Sequence, residues 1–136
     1  MGYVMFVIDA RVRIEKRHFP QALAAIWALK GRETTGLVGF QHFMWINNSD
    51  DFLNAETLKD ALKIWRWGYE TDDQGNIDEL EFLGEKLGNE DILFEAIAPY
   101  VSTGSEIRAA SEEGIVWRWR FHEGQVVKEN GRIIFE

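Results

Sequence analysis

The chain has 136 residues, the size of one domain with a single core, and its 46% hydrophobic and 13% aromatic content predicts a folded globular protein rather than a disordered one. It contains no cysteine, which excludes a disulfide framework, thiolate catalysis and cysteine-ligated metal. The net charge of −8 is unevenly placed: residues 1–32 carry six basic and two acidic side chains, residues 33–100 four and fifteen, residues 101–136 five and six. An acidic middle argues against direct nucleic-acid binding, which wants a basic face, and leaves a cation site, a basic partner or a solvated surface.

Residues 3–14 read as a strand. Tyr3 to Ile8 is β-branched and aromatic, and Val12 and Ile14 then face inward while Arg11 and Arg13 face out. The N-terminal apolar run is too short to span a bilayer and lacks the features of a signal peptide, so the expectation is a soluble, cytoplasmic protein with no membrane association. Pro20 suits the first turn of a helix, and Phe19, Leu23, Ile26 and Trp27 form its apolar stripe, ending near Gly31. Within residues 31–53 a short strand from Phe40 to Ile46 is followed by a turn at Asn47-Asn48-Ser49-Asp50-Asp51.

Asn54 is a good cap for a second helix with Leu58, Ala61, Leu62 and Trp65 inward. Trp67, Tyr69 and Thr71 then alternate, Asp72-Asp73-Gln74-Gly75-Asn76 turns, and Ile77 to Leu83 returns with Leu80 and Phe82 on one face, a hairpin. A third helix covers Glu90 to Tyr100, with Asn89 as cap and Ile92, Leu93, Ala96 and Ile97 inward. A four-strand meander closes the chain: Ser105–Ala110, Ile115–Phe121, Gln125–Lys128 and Arg132–Phe135. In its second strand Trp117, Trp119 and Phe121 share one face and Val116, Arg118 and Arg120 the other. The fold class is therefore α+β: one domain over residues 1–136 with a mostly antiparallel sheet and about three packed helices.

Few residues point to chemistry. Glu70 to Glu81 nearly matches an EF-hand loop, with Asp72, Asp78 and Glu81 as candidate metal ligands, but Glu70 replaces the first-position Asp and no second copy exists. A β-hairpin with an acidic turn accounts for the same residues and is the preferred reading. His18, His42 and His122 lack metal-ligand spacing. No nucleophile elbow, P-loop or dinucleotide fingerprint occurs, so no catalytic residue and no cofactor are predicted. Glu79 and Glu81 form an acidic pair on an exposed strand face. Arg118 and Arg120, some ~7 Å apart, either grip a carboxylate or phosphate or pair with Glu106 or Glu112 on the preceding strand, the preferred reading.

Phe43-Met44-Trp45-Ile46, Trp65-Arg66-Trp67-Gly68-Tyr69-Glu70, Gly75-Asn76-Ile77, Gly84-Glu85-Lys86-Leu87-Gly88, Ile97-Ala98-Pro99-Tyr100-Val101, Gly104-Ser105-x-Ile107 and Gly114-x-x-Trp117-Arg118-Trp119-x-Phe121 stand in that order. The set resembles a family of small uncharacterised proteins found in bacteria and their phages, over about residues 40–125. The resemblance implies no established activity, cofactor or catalytic residue, and it favours the hairpin over the calcium loop. The chain departs from that pattern at Glu106, where an aromatic is expected, and at Glu112-Glu113-Gly114, where Glu-Asp-Gly is usual.

The leading expectation is thus a non-enzymatic binding or accessory protein of phage or mobile-element type, acting through a protein partner. Residues 70–95, with ten acidic side chains and one lysine, provide one route by imitating nucleic-acid charge, with Asp72, Asp73 and Asp78 in the contact. The competing expectation is a calcium- or small-ligand-binding domain built on residues 70–81. Homo-oligomerisation through a sheet edge is left open.

Overall fold

The computed structural model describes residues 4–29 and 57–132; the strand expected at 40–46, the Asn47–Asp51 turn, His42 and all but the first residue of the strand expected at Arg132–Phe135 lie outside them, and the cap expected at Asn54 is instead Thr57. Within the described residues the elements run β1 (Met5–Arg11), a 3-10 turn (Lys16–His18), α1 (Phe19–Ala28), α2 (Leu58–Ile64), β2 (Trp67–Thr71), β3 (Ile77–Phe82), α3 (Glu90–Ile97), a second 3-10 turn (Ala98–Tyr100), β4 (Glu106–Ser111), β5 (Val116–His122) and β6 (Gln125–Asn130). The fold is α+β, as the pattern of periods predicts. β1, β4, β5 and β6 form one antiparallel sheet in that order, and β2 and β3 form a separate hairpin.

β5 is central and its alternation is realised: Trp117, Trp119 and Phe121 are buried, and Arg118 and Arg120 lie on the opposite face. The β5–β6 turn uses Glu123 (φ 48) and Gly124 (φ 81), two consecutive left-handed residues that match the twist of a tight hairpin. β6 continues through Asn130, paired with Trp117, two residues past the end expected at Lys128. The reason is the long ladder against β5, which outweighs the local turn preference of Asn-Gly.

β1 is the unexpected joint of the fold. It pairs with β4 on one side, with a bulge between Val7 and Asp9, and on the other the residues just before and after it make isolated bridges, Val4 with Lys86 beyond the hairpin and Ile14 with Ile77 at the start of β3. Met5 N donates to Glu85 O at 3.0 Å, and Ile14 and Ile77 exchange backbone bonds at 3.1 and 2.9 Å. The strand is thus shorter than residues 3–14, but Val12 and Ile14 still point inward and are fully buried.

The helices cover the sheet's inner face. α3 brings Phe94 against Trp119 and Phe121, and its Asp91 accepts a 2.7 Å hydrogen bond from the Trp119 indole N–H. α1 packs on both α2 and α3. In α1 the buried line is Ala22, Ile26 and Leu29, so Trp27, one position off that line, is exposed rather than inward. α2 buries Leu58, Ala61 and Leu62, with Trp65 behind them, as predicted. Its cap is Thr57, whose hydroxyl accepts from Asp60 N at 3.1 Å.

Candidate functional site

Residues 70–81, proposed from sequence as a calcium loop or a hairpin, form the hairpin. Asp72 is committed to its turn. Its carboxylate accepts from Gln74 N (2.9 Å), Asn76 N (3.0 Å), Asn76 Nδ2 (3.2 Å) and Arg13 Nη1 (3.3 Å). Asn76 in turn accepts from Lys16 N at 2.9 Å, so the turn is tied to the chain leaving β1. Partial burial opposes the charge of Asp72, but the bonds from Asn76, Gln74 and Arg13 prevail and hold its pKa below the usual carboxylate value. Asp73 sits exposed at the turn, and Asp78 and Glu81 are exposed along β3. No group of three or more metal-ligating side chains forms among the described residues.

One prediction follows for Asp72. A carboxylate with a lowered folded pKa contributes stability above its unfolded pKa and loses it as pH falls through the folded value. Asp72→Asn is therefore expected to lower Tm at pH 7, and the difference should vanish toward about pH 2, measured by thermal unfolding across that range.

Arg118 and Arg120 lie on the outer face of the four-stranded sheet within a charge ladder. Arg108 Nε reaches Glu106 Oε1 at 2.6 Å, Arg118 Nη1 reaches Glu106 Oε2 at 3.5 Å, and Arg118 Nε reaches Glu129 Oε1 at 2.7 Å. Arg120 closes the ladder on Glu129 at 3.2 and 3.4 Å. The cross-strand reading is the one observed for Glu106. Glu112 has no place in the ladder, and Glu129, the partner both arginines share, lies past the Lys128 end expected for its strand. Hydrogen bonds from Arg120 and then Arg118 lower the pKa of Glu129, and Glu129 raises that of Arg118.

The chain matches no family model, no curated protein and no solved structure. Geometry alone therefore carries the functional argument.

The most distinctive geometry lies where β1 and β3 part between the Val4–Lys86 and Ile14–Ile77 bridges. A groove of about 380 Å³ opens there, and Asp9, Glu79 and Glu81 are its charged lining residues. Among the described residues no lysine or arginine lines it. Asp9 has an exposed contact with Arg11 at 3.6 Å. Glu79 stands directly across β2–β3 from Glu70, a like-charge pair of the destabilising kind. The hydrogen bond and charge of Glu70 raise the pKa of Glu79, with smaller contributions from burial, Asp78 and Asp9.

Phe6 and Ile8 flank this groove with 55% and 64% of their surfaces exposed. The bulge turns Ile8 and Asp9 toward the same outer side. A strand apolar on both faces normally has both faces covered, and β1 has that composition with one face open among the described residues. The signal lies in Met5-Phe6-Val7-Ile8, whose strand propensity does not by itself say which face stays open.

Proposed function

We propose that the protein is a non-enzymatic binding protein that works through a protein partner, using the open side of β1 and β3 as its contact surface. The observation that carries this is the pairing of exposed Phe6 and Ile8 with a groove whose charged residues are all carboxylates. Apolar anchors beside a single-sign charge suit a partner segment offering lysine or arginine next to apolar side chains. The like-charge opposition of Glu70 and Glu79 favours the same occupant, since an incoming cation relieves it.

Acidic mimicry survives in altered form. Asp72 holds the turn, so the available charges are Asp73, Asp78, Glu79 and Glu81 together with Glu70. A calcium or small-ligand site over 70–81 has less behind it, because Asp72 already satisfies two backbone N–H groups, an amide and a guanidinium.

The test is titration of an arginine- and lysine-rich peptide carrying apolar residues, followed by calorimetry. Binding should weaken with salt and fall about tenfold or more in Glu70→Gln/Glu79→Gln/Glu81→Gln. Equal binding by the triple variant would overturn the proposal.

A further inference from the structure

The outer face that carries the acidic groove carries a second groove on the other side of β1. It measures about 510 Å³, and its charged residues are Arg108, Arg118, Arg132 and Glu129. Ile8 lines both grooves. One strand, apolar and exposed, thus separates a groove whose charged residues, among those described, are carboxylates from one lined by Arg108, Arg118 and Arg132 with Glu129. In the second groove Arg118 is held by Glu106 and Glu129, and Arg132 supplies the uncompensated positive charge. Arg132 has no ion pair among the described residues, and Arg108 is bound only at the rim, to Glu106.

A face that bears a charge pattern and its complement on either side of an apolar line is complementary to itself. We infer that the partner on this face is a second copy of the chain, packed face to face about a two-fold axis that runs along β1. This inference rests on the reading of that face as a protein-binding surface and names its occupant.

Symmetry selects the axis. A two-fold axis parallel to β1 and lying between the two faces exchanges left and right, so each acidic groove meets the other copy's arginine groove. An axis across the strands would stack carboxylate on carboxylate. Along the chosen axis Ile8 lies near Ile8 of the other copy, with Phe6 beside it, and the contact is isologous. The strands of the two sheets stay nearly aligned, the ordinary angle for packed sheets being about 30°. Burial of Phe6 and Ile8 gives β1 the cover on both faces that its composition asks for, and Glu79 and Glu81 gain cations that no described residue of their own chain provides.

The test is sedimentation equilibrium at about 100 µM protein and about 50 mM salt. The expected result is a two-chain mass that dissociates as salt is raised and is lost in Ile8→Lys. Two charge-reversal variants settle the arrangement, one Glu79→Lys/Glu81→Lys, the other Arg108→Glu/Arg132→Glu. Each alone should be monomeric, because its homodimer sets like charges in both grooves. Mixed in equal amounts, they should form a dimer containing one of each, because both groove contacts are then complementary.

A monomeric wild type would overturn the inference, as would dimerisation of both reversal variants alone or failure of their mixture to associate. If the wild type is monomeric yet binds the basic peptide, the protein-binding reading stands and only the second copy is excluded as its partner. If it is monomeric and binds no peptide, both fall.

Discussion

Replacing Glu90 by alanine is expected to lower stability by about 3–5 kcal/mol, measured by urea unfolding at pH 7. Glu90 is the first residue of α3 and is wholly buried. Its Oε1 accepts from Gly88 N at 2.7 Å and from Arg66 Nη2 at 3.2 Å, while Oε2 makes no hydrogen bond among the described residues. Arg66 is itself only 18% exposed along its side chain and lies with its guanidinium 5.3 Å from the Phe82 ring centre. It is held there by a left-handed backbone (φ 71), a conformation that costs a non-glycine residue of order 1 kcal/mol or more and ends α2 with an arginine where glycine is the usual choice. Gly84 completes the arrangement, since a Cβ there would fall 2.9 Å from Arg66 Nη1 and 2.8 Å from Phe82 Cζ. Alanine at 90 takes the carboxylate from this interior and leaves the Gly88 N–H without its acceptor, so the loss exceeds that of any exposed ion pair.

The pH dependence of the same residue is a second readout. Burial raises the pKa of Glu90, against the lowering effects of Gly88 N–H and Arg66. A raised folded pKa means a contribution to stability that is complete below the unfolded carboxylate value and is lost as pH rises through the folded one. The stability of the wild type relative to Glu90→Gln should therefore decline as pH rises from about 4 toward neutrality, opposite in sign to the effect of Asp72. A flat difference would mean that Arg66 fully compensates burial.

Local period made much of this architecture legible. The alternation of Trp117, Trp119 and Phe121, the stripe Leu58, Ala61, Leu62 and Trp65, and the Asp72–Asn76 turn are each decided by neighbours within a few residues, and each stands where sequence placed it. The misplacements have long-range causes. Trp27 was assigned inward by period alone, but the partners of α1 sit over Ala22 and Ile26. Glu129 falls outside the expected strand, which ends at Lys128 because Asn130-Gly131 favours a turn locally, whereas ladder bonds to β5 extend the strand past it.

The candidate site was mostly illegible for the same reason. Its groove joins Phe6, Ile8 and Asp9 to Glu79 and Glu81, some 70 positions along the chain, and no local pattern sets β1 beside β3. Arg118 and Arg120 could be placed on one face, yet whether they stood bare or neutralised depended on the register of β6. Glu90 could be placed at the positive end of a helix, but its burial depends on Arg66 reaching back from the end of another.

Phe94→Ala is expected to cost about 3–5 kcal/mol and to lower Tm by about 10–20 °C. Sequence assigned the inward stripe of α3 to Ile92, Leu93, Ala96 and Ile97, yet Phe94 is fully buried while Ile92 and Ala96 are only partly so. The stripe is wider than one face because α3 is covered from two directions. Phe94 meets Trp67 of the hairpin edge-on at 5.4 Å, and Trp119 and Phe121 of the main sheet edge-on at 4.9 and 6.0 Å. It is thus the aromatic contact shared by two sheets that are separate ladders, joined beside β1 by the isolated bridge of Ile14 with Ile77. Removing it opens a cavity between them that neither sheet can close alone, which places the cost at the upper end of the usual range for large-to-small changes. Phe82→Ala, at the half-buried rim of the same cluster, should cost distinctly less. The two losses compared by urea unfolding with tryptophan fluorescence decide the point: equal costs would place the junction at the rim rather than at Phe94.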